Sequence, residues 1–146
     1  DLAKALEMQA DGGELGAFEQ WFVDWVRAAF RAKGNKAVVE NLLDWSLELA
    51  GLGREQQKQF LSYCSQQFRL ALLLNYGLSV HPPSFAATQF KFEKFAPFVH
   101  ENNIEEIREE LEKAHYHIER NVSAKMVFGD LALALTRLIH RKPFTP

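Results

Sequence analysis

Histidine is the residue type in this chain that first suggests metal chemistry, and the sequence contains five of them. His115 and His117 lie two positions apart in a helical pattern, so their side chains point about 200° away from each other. They cannot ligate one ion together. His81, His100 and His140 have no histidine or acidic residue at ligand spacing. The histidines are therefore predicted to be solvated or capping side chains.

Carboxylates are the second candidate for metal chemistry, and they are concentrated between Glu101 and Glu119. A di-iron carboxylate bundle needs a Glu-x-x-His motif on each of two helices. Glu112 with His115 supplies one such motif. The segment is interpreted as a solvated acidic helix face, and we expect neither a metal nor another cofactor.

Cys64 is the single cysteine, which excludes an intramolecular disulfide and a cysteine-cluster zinc site. It shares a helical face with Phe60 and Phe68, a pattern typical of a buried, inert thiol. The chain has no Gly-x-Ser-x-Gly elbow and no glycine-rich phosphate loop. We therefore expect no catalytic residue and no nucleotide-binding residue in this chain.

Basic residues are concentrated in the last segment, where Lys125, Arg137, Arg141 and Lys142 outnumber Asp130. Such residues complement the dipole at the end of a helix. Contact with phosphates is the alternative, but the segment lacks the interleaved aromatic residues of single-strand binders. The net charge of −2 supplies no strong field for attracting nucleic acid.

The composition is that of one globular domain, with 146 residues, 47% of them hydrophobic and 25% charged. The longest apolar run, Leu70–Leu74, is far shorter than the ~20 residues of a membrane span. No secretory leader pattern is present, so we expect a cytoplasmic protein without a membrane partner. The chain begins with Asp1 and not with Met, and we expect it to be part of a longer protein.

Helical spacing of apolar residues runs through almost the whole sequence, and no segment alternates as a strand would. The predicted helices cover about 2–9, 14–33, 36–50, 54–76, 104–118 and 124–141. Asp11-Gly12-Gly13, Gly34, Gly51, Gly77 and Pro143 are the predicted helix ends. This pattern predicts an all-α protein, a single bundle of about five to six helices.

Two local features add detail to this bundle. Asn103 with Glu106 resembles a capping box, and Ser123 is placed to cap the last helix. Leu70–Leu74 is apolar on all sides of its helix, which predicts a place at the centre of the bundle or at a subunit contact. Trp21 lies about 90° from the main apolar stripe of its helix and is the best candidate for an exposed aromatic anchor.

Several segments together resemble the C-terminal part of the delta-prime family of bacterial DNA polymerase III clamp-loader subunits. These segments are residues 52–64 (LGREQQKQFLSYC), 68–73 (FRLALL), 95–100 (FAPFVH) and 115–131 (HYHIERNVSAKMVFGDL). The most specific part is the Arg120-Asn121 turn, followed by a helix that contains Asp130-Leu131. Residues 1–6 (DLAKAL) are similar to the end of the small lid domain that precedes this region in the family.

The resemblance implies a helical collar domain over 14–146, preceded at 1–13 by the end of a lid domain or a linker. Collar domains hold the five-subunit loader together while it places the sliding clamp on primed DNA during replication. The implied partners are the delta and gamma/tau subunits, and the clamp and DNA are reached only through the whole assembly. The AAA+ part that carries nucleotide chemistry in the family would lie outside these residues, so this part is not expected to be an enzyme. The resemblance implies that the full-length protein would be part of the DNA polymerase III holoenzyme.

A collar domain needs apolar surface for its neighbours, and five residues are predicted to supply it: Trp21, Leu70, Leu73, Phe128 and Leu135. Several alternatives stay open at this point. The chain could be the collar of another loader subunit, delta or gamma/tau, or an unrelated helical interaction module. A helical metal enzyme or a nucleic-acid reader would instead need inward ionisable groups or a basic face.

Overall fold

The computed structural model describes residues 2–32, 35–82, 85 and 88–143, and all regular structure within them is helical. The six α-helices are α1 (Leu2–Arg31), α2 (Lys36–Ala50), α3 (Arg54–Asn75), α4 (Phe92–Phe95), α5 (Ile104–Glu119) and α6 (Ala124–Ile139). A 3-10 turn, Ala96–Phe98, follows α4 directly and carries Pro97 in its first turn. The predicted all-α bundle of five to six helices is confirmed.

The first helix differs from its predicted form. Residues 2–9 and 14–33 were predicted as separate helices, but α1 continues without interruption through Gly12 and Gly13. A glycine costs a helix about 1 kcal/mol relative to alanine without excluding helical dihedral angles, so a pair of glycines alone does not end a helix. The predicted stop at Gly34 lies outside the described residues.

The bundle is built around the second half of α1. This helix packs against α2, α3 and α6, while α6 lies between α2 and α5, and α3 packs on the other side of α5. Trp25 of α1 stacks on Trp45 of α2 with ring centroids 5.2 Å apart, and Phe22 meets Phe68 of α3 edge to face. These buried rings place α1 in contact with both α2 and α3 in the core.

The phenylalanine-rich stretch before α5 closes the core over α1 and α3. Phe85, Phe92 and Phe95 are buried, and Phe90 contacts Phe22 of α1. Only Phe98 of this stretch is exposed. Most of this stretch is therefore buried within the domain, where it covers the aromatic side chains of α1 and α3.

Turns between the helices use residues suited to their dihedral angles. Asn35 caps α2, its side-chain oxygen accepting from the backbone N–H groups of Ala37 and Val38. Gly77 ends the α3 region at φ +76°, where glycine is unstrained. Asn121 joins α5 to α6 at φ +61°, a conformation that asparagine tolerates better than most residues.

Two predicted caps occupy the N-cap position without capping through their side chains. Asn103 precedes α5, and Ser123 precedes α6, but neither side chain bonds the first turn of its helix. The Asn103 oxygen accepts instead from the backbone N–H of His100. Its amide nitrogen donates to the carbonyls of Phe98 and Leu138, so this buried side chain joins the loop to α6.

Candidate subunit interface

The predicted interface residues separate into two groups in the structure. Phe128 and Leu135 of α6 are buried in the core of the chain itself, at 0% and 2% exposure. They have no surface left with which to contact a partner, because both belong to the stripe of α6 that packs on the rest of the bundle. Trp21, Leu70 and Leu73 are half-buried and retain some accessible surface.

Trp21 is held in place and does not project as a free anchor. Its indole N–H donates to Glu48 Oε1 at 2.9 Å, and its ring meets Phe60 edge to face at 6.0 Å. Its backbone oxygen accepts from the Trp45 indole. Trp21 therefore fastens α1 to α2 and α3, which makes it a poor choice for a contact that forms only on assembly.

The run Leu70–Leu74 is less buried than its composition predicts. Ala71 is fully buried, whereas Leu70, Leu72, Leu73 and Leu74 are half-buried. The helix is thus at the boundary between core and surface here, and not at the centre of the bundle.

A seam between α2 and α6 carries the first apolar surface of the domain. Arg54, just after α2, donates to the side chain of Asn121, just before α6, so the two helices run antiparallel. Gly129 of α6 faces Ser46 of α2, and a Cβ at position 129 would lie 4.0 Å from the serine oxygen. Because Gly129 and Ser46 are small, α2 and α6 can pack closely at this point.

Four exposed apolar side chains of these two helices define what we call the α2–α6 ridge: Leu43, Leu47, Met126 and Leu133. Their exposed fractions are 44%, 48%, 65% and 44%. Large apolar side chains left in water on two helices that pack together are typical of a protein-interaction surface. Apolar spacing alone does not single these residues out, because it does not show which of two neighbouring leucines, such as Leu42 and Leu43, faces the core.

A groove between α3 and α5 is the second apolar surface and encloses about 630 Å³. Its floor consists of buried and half-buried apolar side chains: Leu61, Phe68, Leu72, Ile104, Ile107 and Leu111. Its rims are polar and carry charges of both signs, with Arg69 on α3 and with Arg108, Glu105 and Glu112 on α5. An open, apolar-floored channel between two helices has the form that accepts a third helix.

The polar cluster at the end of α6 has a structural role. Glu106 accepts hydrogen bonds from Arg141 at 2.6 Å and from Arg137 at 3.2 Å. These two guanidinium groups, Arg141 first, lower the pKa of the Glu106 carboxyl from its usual value. Two of the basic residues considered as phosphate contacts are thus paired with a carboxylate of this chain.

Three further candidates for chemistry, Cys64, His100 and His140, are buried or hydrogen-bonded within the chain. Burial raises the pKa of the Cys64 thiol well above its usual value, so the inert thiol predicted from the sequence is consistent with its position. His100 contacts the Arg141 carbonyl, and His140 contacts the carbonyls of Thr136 and Phe30. Across the part of the chain that the structure describes, no three histidine, cysteine or acidic side chains converge as a metal site requires.

Taken together, the described residues form an all-α domain with two separate apolar surfaces. Comparison with known proteins adds no identity, because no protein-family model, curated protein or solved structure matches the chain. None of the described helices combines the length and apolar character that crossing a membrane requires.

Proposed function

We propose that this chain is the C-terminal oligomerisation domain of a delta-prime-like clamp-loader subunit. In this role it joins the delta and gamma/tau subunits into the loader that places the sliding clamp on primed DNA. The domain contributes binding surface, and the clamp and DNA are engaged by the complete assembly. Its site of action is the cytoplasm, where replication takes place.

The observation that carries the proposal is the pair of apolar surfaces on different helices. The α2–α6 ridge consists of exposed side chains, whereas the α3–α5 groove is an open concave surface. A subunit within a ring meets one neighbour through one surface and the next neighbour through another. Two unlike apolar surfaces on one small bundle fit that requirement better than a single patch would.

The segment with the strongest family resemblance supports the same proposal. The Arg120 guanidinium stacks on the Tyr116 ring at 3.7 Å, and Asn121 takes the left-handed conformation that turns the chain into α6. The side chain of Asn121 also accepts from Arg54, which follows α2. These residues therefore tie the turn between α5 and α6 to the start of α3, just after the end of α2.

The experiment is reconstitution of a bacterial loader from purified delta and gamma/tau subunits together with this chain. The wild-type chain is expected to co-elute with them in size-exclusion chromatography with light scattering. A double variant, Leu43→Asp with Leu133→Asp, places two charges on the ridge and should weaken assembly. An anchor of an interface contributes about 2 kcal/mol, which corresponds to roughly 30-fold in Kd.

The matched control is Leu78→Asp, because Leu78 is equally apolar, 53% exposed and outside the ridge and the groove. It should assemble as the wild type does. Normal assembly of the double ridge variant would contradict the ridge as an interface. Failure of the wild-type chain to join any loader subunit would contradict the collar proposal and favour an unrelated interaction module. If the chain takes the place of delta or of gamma/tau in the reconstituted loader, and not the place of delta-prime, it is assigned to that subunit.

A further inference from the structure

Two histidines connect the C-terminal end of α6 to the rest of the bundle. His100 Nε2 lies 3.0 Å from the Arg141 carbonyl oxygen, so this ring joins the loop before α5 to the residues after α6. His140 Nε2 lies 3.1 Å from the Phe30 carbonyl oxygen, which belongs to the last turn of α1. The two rings therefore link three parts of the chain, and we call His100 and His140 the histidine clasp.

The partners of His100 define it as a neutral ring. The backbone N–H of Asn102 donates to Nδ1 at 3.2 Å, so this nitrogen carries a lone pair. The Arg141 carbonyl is an acceptor, so Nε2 carries the proton. His100 is 4% exposed. A second proton on the ring would break the bond from Asn102 and place a charge where little water reaches it.

His140 differs from His100 because each of its ring nitrogens faces an acceptor. Nδ1 lies 2.7 Å from the Thr136 carbonyl oxygen, and Nε2 lies 3.1 Å from the Phe30 carbonyl oxygen. A neutral ring has one N–H and donates to only one of these oxygens, which leaves a lone pair directed at the other. The doubly protonated ring donates to both. The hydrogen bonds of His140 are therefore complete only in its charged form.

Both acceptors of His140 lie in the last turn of a helix. Thr136 belongs to the last turn of α6, and Phe30 belongs to the last turn of α1. The last four carbonyls of an α-helix lack partners within the helix and carry the negative end of its dipole. A cation at such an end is stabilising. Two helix ends thus favour the charged form of His140.

Charged side chains lie on each segment that the histidine clasp connects: Arg27 and Arg31 on α1, Glu101 and Glu106 before and in the first turn of α5, and Arg137, Arg141 and Lys142 at the end of α6. The Glu106 carboxylate accepts from Arg137 and Arg141. Among the described residues, no carboxylate lies within ion-pair distance of either ring. Hydrogen-bond partners, and not an acidic neighbour, therefore distinguish the two rings.

We propose that the histidine clasp is a pH-responsive device, which holds the end of α6 most firmly when His100 is neutral and His140 is charged. As the pH rises, His140 loses a proton and one of its two bonds, so its stabilisation of the fold is lost. As the pH falls, His100 gains a proton and loses the bond from Asn102. The end of α6 is therefore held best near neutral pH. This device goes beyond the proposed function, because it acts within the chain.

Nuclear magnetic resonance of the ¹⁵N-labelled chain tests the protonation states directly, because ring nitrogen shifts distinguish protonated from bare nitrogens. At about pH 7 a freely solvated histidine is mostly neutral. His140 is expected to show two protonated nitrogens there, whereas His100 shows a protonated Nε2 and a bare Nδ1. The exposed His81 is the internal reference and should be mostly neutral.

Thermal melts between about pH 5.5 and about pH 8.5 test the consequence for stability. The difference in Tm between wild type and His140→Gln should shrink by about 3 °C as the pH rises through this range. The difference between wild type and His100→Gln should grow by about 3 °C over the same range. His81→Gln is the matched control, because it removes an exposed histidine outside the clasp, and its difference should not change with pH.

The two readouts can each overturn the proposal. A mostly neutral His140 ring or a charged His100 ring at about pH 7 would contradict the assigned protonation states. Tm differences that stay constant, or that change in the same direction for His100→Gln and His140→Gln, would contradict the pH response. The ring shifts of the wild-type chain decide the question even if a variant fails to fold.

Discussion

Replacement of Asn103 by alanine should destabilise the domain by about 3 kcal/mol. The side chain is 1% exposed and makes three hydrogen bonds, at 3.0 Å from the His100 N–H, at 2.8 Å to the Phe98 carbonyl and at 3.0 Å to the Leu138 carbonyl. Each bond contributes about 1 kcal/mol, and the groups left behind are buried without a replacement partner. Asn103→Ala therefore disconnects the loop before α5 from the end of α6.

Urea denaturation followed by circular dichroism measures this loss as a lower midpoint with an unchanged m-value. In a thermal melt, the same loss should lower Tm by about 9 °C for a domain of this size. The control is Asn102→Ala, because the half-exposed Asn102 side chain donates a single bond, to the Lys142 carbonyl. A loss below about 1 kcal/mol for Asn103→Ala would refute the reasoning that these bonds organise the loop.

Three further outcomes follow from single positions. Gly77→Ala should lower the free energy of unfolding by about 1 kcal/mol, because φ is +76° at this position. Gly53→Ala is the control, since φ is −68° there and the substitution introduces no such strain. The urea denaturation midpoints of the two variants measure the difference. Cys64 should react with a thiol reagent at pH 8 only after denaturation, since it is fully buried with a raised pKa; rapid reaction of the native chain would contradict its placement. In the folded chain, hydrogen bonds from Arg141 and then Arg137 lower the pKa of the Glu106 carboxyl. The ionised carboxylate therefore stabilises the fold above the usual glutamate pKa, and this stabilisation is lost as the pH falls through the lowered pKa. The stability gap between wild type and Glu106→Gln should therefore shrink on acidification below pH ~4.5, and a gap that does not change with pH would count against this pairing.

Periodicity predicted the helices best where each helix buries one clear stripe. The spacing predicted α2 over 36–50, and the structure has Lys36–Ala50; it predicted α3 over 54–76, and the structure has Arg54–Asn75. The Gly12-Gly13 pair misled the prediction, because glycine weakens a helix by an amount that a long helix tolerates. The predicted capping role of Asn103 was wrong for a different reason. A local capping pattern does not show that the Asn103 side chain will instead donate to the carbonyl of Leu138, which is distant in the sequence.

The candidate site was less predictable than the fold. Phe128 and Leu135 were chosen as interface residues from their apolar character, but apolar character alone does not separate a core stripe from an exposed one. Leu43 and Leu133 were distinguishable only after the packing of α2 against α6 had defined which faces remain in water. Surface assignments of this kind depend on long-range contacts and therefore require the folded structure.

Hydrogen–deuterium exchange on the reconstituted loader tests the central claim most directly, because it reports assembly and the location of the contact together. The account predicts that, relative to the chain alone, amides along α2 and α6 beneath the ridge and along α3 and α5 beside the groove become slower to exchange. Helix α4 and the 3-10 turn, which lie outside both surfaces, should keep their rates. Unchanged exchange throughout the chain in the presence of the delta and gamma/tau subunits, or protection confined to α4 and the 3-10 turn, would contradict it.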